Sequence, residues 1–158
     1  GGVLGTPVSS PDFFPTLLEA AGAKPQPDQT LDGMSLLPVF KGGTLPERPL
    51  FWHYPHYGNQ GGAPAAAIRR GDWKLIEWAE DKRVELFNVS ADIGEQNDLA
   101  QRDTIRANTL RAELHAWQQQ VGARHPTPNA AYDSTKPSGR FSARPATVNA
   151  PAPSKRKE

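Results

Sequence analysis

Cysteine is absent from this chain of 158 residues. That excludes a disulfide framework, a thiolate zinc site and a cysteine nucleophile within it. Long apolar runs are missing too, and nothing approaches the roughly 20 residues that cross a bilayer as a helix. Charge of one sign is not in excess, since 18 Lys and Arg face 17 Asp and Glu for a net +1. The average composition is therefore not that of a basic nucleic-acid binder. No basic-then-apolar leader follows Gly1, and the chain is expected to be a fragment or a processed product.

The most informative absence is local. Ten prolines lie between Pro7 and Pro64 and six between Pro126 and Pro153, but none between Ala65 and Arg124. Proline removes a backbone donor and fixes φ, so regular structure can run unbroken only where it is missing. That stretch holds three of the four tryptophans, Trp73, Trp78 and Trp117. The compact unit is placed at 49–122, with 1–48 before it and 123–158 after it. Charge divides at nearly the same point: residues 124–158 carry net +5 and residues 1–123 carry net −4. The last stretch is rich in Pro, Ala, Ser and Thr. It has too little apolar surface to offset its ordering entropy, which predicts a disordered basic tail.

Local signals assign the elements. Ser10-Pro11-Asp12 opens a helix as N-cap, first-turn proline and first-turn acid. Pro15 disfavours the α region at Phe14, so a tight 3₁₀-like turn is expected first, with α-helix from about Pro15 to a stop at Gly22. Residues 24–48 read as loop with a short helical turn at 35–39. Strands are expected at 50–54, 67–70, 73–78 and 83–89, the middle pair joined by a Gly71-Asp72 hairpin turn. Ala107, Leu110, Leu114, Trp117 and Val121 form one stripe on a helix capped by Asp103 and ended by Gly122. A four-stranded antiparallel sheet with a C-terminal helix packed on it makes an α+β unit. The first 22 residues fit that unit poorly, and look like the last piece of a truncated α/β core.

Four histidines are the chemically active groups. His53 and His56 are flanked by Trp52, Tyr54 and Tyr57, and Pro55 breaks the strand between them so that the rings can converge. A zinc site needs a third or fourth ligand. No carboxylate follows within fifteen residues of His56, so no metal ligand is assigned. His56 opens a glycine-rich loop at a strand end. There an imidazole either donates to an anionic or hydroxylated ligand or is satisfied by backbone groups. His115 is expected at the surface, and His125 is given no role. No G-x-S-x-G selects a serine nucleophile, and Gly58–Gly62 lacks the Lys-Ser/Thr of a phosphate loop. Asn88-Val89-Ser90 matches the N-glycosylation acceptor pattern. On these residues alone the catalytic set is empty.

Five segments in order carry a resemblance. They are the run from Thr6-Pro7-Val8 through Ser10-Pro11-Asp12-Phe13-Phe14-Pro15 to Gly22, then Leu31-Asp32-Gly33-Met34-Ser35-Leu36-Leu37-Pro38, and Phe51-Trp52-His53-Tyr54-Pro55-His56-Tyr57. After them come Ala67-Ile68-Arg69-Arg70-Gly71-Asp72-Trp73-Lys74-Leu75-Ile76, and Glu85-Leu86-Phe87-Asn88-Val89 with Asp92, Glu95 and Asp98-Leu99-Ala100. Together they resemble the C-terminal part of the type I sulfatases, sulfuric-ester hydrolases of alkaline-phosphatase-like fold. The resemblance implies a larger enzyme whose N-terminal domain holds a formylglycine, made in a C/S-x-P-x-R motif, and a calcium ion. Neither is carried over here: in Ser9-Ser10-Pro11-Asp12-Phe13, Phe13 stands where the motif requires Arg. This chain is thus expected to be inactive alone and to help rim the substrate pocket, with His56 and then His53 touching substrate. Arg69 and Lys74 match family positions and are read as structural, paired with neighbouring carboxylates. The implied partners are a sulfated small molecule or glycan and the chain's own N-terminal catalytic domain, with no nucleic acid and no membrane span. The implied compartment is periplasmic or secreted. A related phosphate or phosphonate ester hydrolase, and a stand-alone glycan-binding module using residues 53–62 or the basic tail, are the alternatives.

Overall fold

The computed structural model describes residues 2–58 and 62–131. A 3₁₀ turn, Ser10–Asp12, leads into α1 (Phe13–Ala20). A one-turn helix, α2 (Leu37–Phe40), follows. The strands are β1 (Pro49–Tyr54), β2 (Ala65–Arg70), β3 (Trp73–Trp78) and β4 (Val84–Asn88), and α3 (Thr104–Gln120) closes the described chain. The sheet is antiparallel in the order β1-β2-β3-β4. Of the tail expected to be disordered, 123–158, residues 123–131 are described and hold no helix or strand, and 132–158 lie outside the described residues.

Pairing Phe51 with Ile68, Ile68 with Leu75 and Leu75 with Leu86 fixes which side chains share a face. On that face Ala66, Ile68, Leu75 and Leu86 meet Ala100, Ala107, Leu110 and Leu114 in one buried cluster. Phe51 stacks on Trp117 with ring centroids 4.7 Å apart, and the Arg106 guanidinium lies 4.0 Å from the Trp73 ring centroid. The Arg70 guanidinium grips Glu113 of α3. Gly71 sits at φ +55, the left-handed region that makes it the natural corner of the β2–β3 hairpin. Beyond β4 the sheet is continued in a reduced form: Leu99 N donates to Leu86 O at 2.8 Å and Leu86 N to Asp98 Oδ1 at 3.0 Å.

The α3 stripe departs from expectation at its end. Val121 is the C-cap and is exposed, whereas Gln118 is buried. A 3.6-residue period places the inward face after Leu114 between positions 117 and 118, so Trp117 and Gln118 share the inward face. Asp103 caps α3 as expected, accepting from Arg106 N at 3.0 Å. At the other end of the chain the helix begins earlier than its sequence suggests. Ser9, not Ser10, is the extended residue before the 3₁₀ turn, and α1 already includes Phe13 and Phe14. Pro15 is third in α1, where its missing N–H has no intrahelical partner to lose.

Asp12 organises everything before β1. It is fully buried. Its Oδ2 accepts from Ser9 N at 2.8 Å and from Arg48 Nη2 at 2.5 Å, and its Oδ1 accepts from Met34 N at 2.9 Å. Thr16 extends the hub, donating to Asp12 O at 2.6 Å and accepting from Leu36 N at 2.9 Å. Burial alone would push the Asp12 carboxyl up, but the donors from Arg48, Ser9 and Met34 outweigh it and hold it below its ordinary value. Since Arg48 directly precedes β1, this hub ties the N-terminal segment to the strand that carries His53.

Candidate functional site

Strand alternation sends Phe51 and His53 of β1 to the α3 side, together with Ala66 of β2 and Leu75 and Glu77 of β3. Leu75 is core there, and Glu77 is a carboxylate in the next core-facing position. It is buried and answered from α3. Glu77 Oε1 accepts from Arg111 Nη2 at 2.7 Å and Nε at 3.1 Å, and Oε2 lies 2.5 Å from His115 Nε2. Burial opposes the charged form of Glu77, yet His115 and Arg111 outweigh it and hold the carboxyl below its ordinary value. An open cleft of about 380 Å³ lies over this cluster, between the end of the sheet and the second half of α3.

His53 lies on the wall of that cleft with both ring nitrogens engaged. Its Nε2 is 2.8 Å from the Arg124 carbonyl, which can only accept, and its Nδ1 is 3.1 Å from Gln118 Nε2. Those partners assign the tautomer with the proton on Nε2, donating to Arg124 O, while Nδ1 accepts from the Gln118 amide. The His125 ring meets His53 edge-on at 5.4 Å.

His56 lies elsewhere. Pro55 turns the chain, and His56 is exposed with its ring edge-on to Tyr54 at 5.6 Å. The two histidines singled out from sequence therefore do not converge: His53 turns toward α3 and His56 toward the loop after β1. His115 is only half exposed and bound to Glu77, a correction to the surface position expected of it. The residues sequence reasoning passed over are Glu77, Arg111, Gln118 and His125. A signal for Glu77 existed, because it follows Trp73 and Leu75 on the same side of an alternating strand. Lys74 pairs with Glu95 at 2.7 Å, whereas Arg69 donates to Gly71 O at 3.2 Å and pairs with no carboxylate among the described residues. Asn88 turns its Oδ1 to Ser90 N and Ala91 N, closing a turn after β4.

Both Asp12 oxygens are consumed by internal donors. Among the described residues no group of three His, Cys, Asp or Glu is placed to hold a metal ion.

The family described as N-sulphoglucosamine sulphohydrolase, C-terminal, matches residues 4–121. The chain belongs to this family, as a sulfatase C-terminal part. A sulfatase of Formosa agariphila is 36% identical over 67% of this chain and 22% of its own length. The N-acetylgalactosamine-6-sulfatase of Canis lupus familiaris is 33% identical over 51% of this chain and 14% of its own. Among solved structures, BT4656 in complex with its substrate D-glucosamine-2-N,6-O-disulfate superposes with a TM-score of 0.60, at 28% identity, over 73% of this chain and 24% of that one. The structure of Ps i-CgsB does so with a TM-score of 0.56 at 30% identity, covering 70% and 24%. This sulfatase part thus spans between a seventh and a quarter of the proteins it matches.

Proposed function

We propose that this chain is the substrate-pocket rim of a sulfuric ester hydrolase that acts on a sulfated saccharide. The likeness to BT4656, solved with a sulfated amino sugar, carries this reading. Within it, the formylglycine and calcium belong to a catalytic domain outside this chain. The chain alone is inactive, and the whole protein works in the periplasm or outside the cell. Support for a missing partner comes from the N-terminal segment. Phe13 and Leu17 on α1 are 61% and 67% exposed, and Val3 and Leu4 before it are exposed as well. Phe13 and Leu17 lie one turn apart on α1, and exposed apolar surface of this kind marks an interface for which the catalytic domain is the fitting partner.

The rim itself is the loop that follows β1. His56 is exposed at its start, beside Tyr54, so the imidazole can donate to a sulfate or hydroxyl oxygen while the phenol ring walls the site. His53 is the second contact, held in one tautomer by Gln118 and Arg124. The full-length gene product, assayed on an aryl sulfate and the matching aryl phosphate, is expected to cleave the sulfate. Cleavage of the phosphate alone would assign it to phosphate ester chemistry instead. In the same enzyme His56→Ala is expected to lower kcat/KM by about tenfold, the loss of one charge-assisted hydrogen bond worth about 1–3 kcal/mol. Unchanged kinetics would remove His56 from the rim.

A further inference from the structure

The cleft over Glu77 shares His53 with the proposed rim, and its other polar groups have the makings of a second binding site. Its size falls within the roughly 300–1,000 Å³ of small-ligand sites. Its charges are Glu77, Arg111 and Lys82, with three histidine rings. Glu77 is already matched, since Arg111 and His115 occupy its two oxygens. That leaves Lys82 as an uncompensated positive charge on the rim, with no ion pair or hydrogen bond among the described residues. Arg111 is bound to Glu77 through Nε and Nη2, so its other amino group is available.

Lys82 carries a second oddity. It sits at φ +58 in the β3–β4 turn, a left-handed conformation usually given to glycine or asparagine. Glycine would hold the same turn without strain. A lysine kept there sacrifices stability, and strain of this kind concentrates where a side chain must be presented to something.

We propose that this cleft binds an oxyanion-bearing sugar, a carboxylated or sulfated saccharide unit. Lys82 and the free face of the Arg111 guanidinium meet the anion, and His125 adds a donor. The side-chain amides of Gln118 and Gln119 line the same cleft and can exchange hydrogen bonds with ring hydroxyls. A bare anion would leave most of the cleft to water, whereas a pyranose would cover its alanine and proline floor. The sugar part of this proposal rests on the saccharide reading above; the anion part rests on the cleft alone.

The test is calorimetric titration of the full-length gene product with glucuronate, glucosamine 6-sulfate and neutral glucose. Both anionic sugars are expected to bind and glucose is not, and the tighter of the two identifies the anion preferred. Lys82→Gly should weaken the anionic sugars about tenfold while leaving the Tm unchanged or raising it, a split that a purely structural lysine cannot give. His125→Gln should weaken them less, and His56→Ala should leave glucuronate binding intact while lowering turnover. The proposal fails if glucose binds as well as glucuronate, or if Lys82→Gly and His125→Gln both leave the affinities unchanged. A protein that cleaves no sulfate yet loses glucuronate with Lys82→Gly would refute the enzymatic reading and keep this one.

Discussion

Asp12→Ala is expected to release the whole segment before β1, at a cost of about 3 kcal/mol. The size follows from what is stranded. Asp12 is fully buried, and Arg48, its ion-pair partner, is mostly buried. Removing one member of such a pair leaves the other charge without compensation, which is worse than losing both. The amides of Ser9 and Met34 lose their acceptor at the same time. Hydrogen exchange in the full-length gene product reads the effect directly. The Met34 and Ser9 amides should lose protection, while those of β2 and β3, held by their own ladders, should keep it. Uniform loss of protection across the sheet would mean that the hub supports the entire unit, and no loss at Met34 would refute its role.

The same residue dictates a pH dependence. Its carboxyl is held below the ordinary value of 3.8 in the folded chain. A group whose folded pKa is depressed adds stability that is present above its unfolded value and lost as pH falls through the folded one. The N-terminal segment should therefore be fully docked near neutrality and loosen in acid below about pH 4. In Asp12→Asn that acid-dependent step disappears, because the amide does not titrate. An unchanged acid transition in the Asn variant would move its origin to another carboxylate.

The parts of the fold that were legible are those set by local rules. Alternation and turn chemistry located all four strands, and Asp103 located the start of α3, since each signal acts within a few residues. The pre-proline penalty at Phe14 points to a late N-terminus for α1, whereas the hub that fixes Asp12 is tertiary and leaves no local signal. The candidate site was legible only in part. His53 was visible as a residue type beside aromatics, but its partners are Gln118, Arg124 and His125, about seventy positions away. Nothing local announces such a pairing. Glu77 is the instructive case: a carboxylate on the core side of a strand is a conflict that sequence can detect. Its resolution by Arg111 and His115 belongs to the packing of α3 on the sheet. Such conflicts between local pattern and polarity are where tertiary or functional demands show through.

Gly33→Ala should be as damaging as the loss of Asp12, by a different route. A Cβ at position 33 would sit inside the contact radius of the Pro11 carbonyl and 2.6 Å from Asp12 N. Both obstacles are backbone, so no rotamer change relieves the clash. The loop must instead withdraw from the 3₁₀ turn, and two hydrogen bonds go with it: Met34 N to Asp12 Oδ1, and Leu36 N to Thr16 Oγ1. The cost is expected at or above about 3 kcal/mol, the upper end for overpacking. It greatly exceeds the gain of about 0.4–1 kcal/mol that alanine brings by stiffening the unfolded chain. Gly5→Ala isolates that gain, because nothing lies within 4 Å of the added carbon there. Chemical denaturation of the full-length gene product, with exchange at Met34 and Leu36, separates the two variants. Gly5→Ala should be neutral or slightly stabilising, and Gly33→Ala should open the loop. The rest follows from connectivity: with the loop displaced, Asp12 loses a donor, its hold on Arg48 weakens, and the start of β1 is no longer pinned. His56→Ala should cut turnover in a well-folded enzyme. Gly33→Ala should cut it by loosening the segment that enters that strand, so only in the Gly33 variant should lost activity track lost protection at Met34.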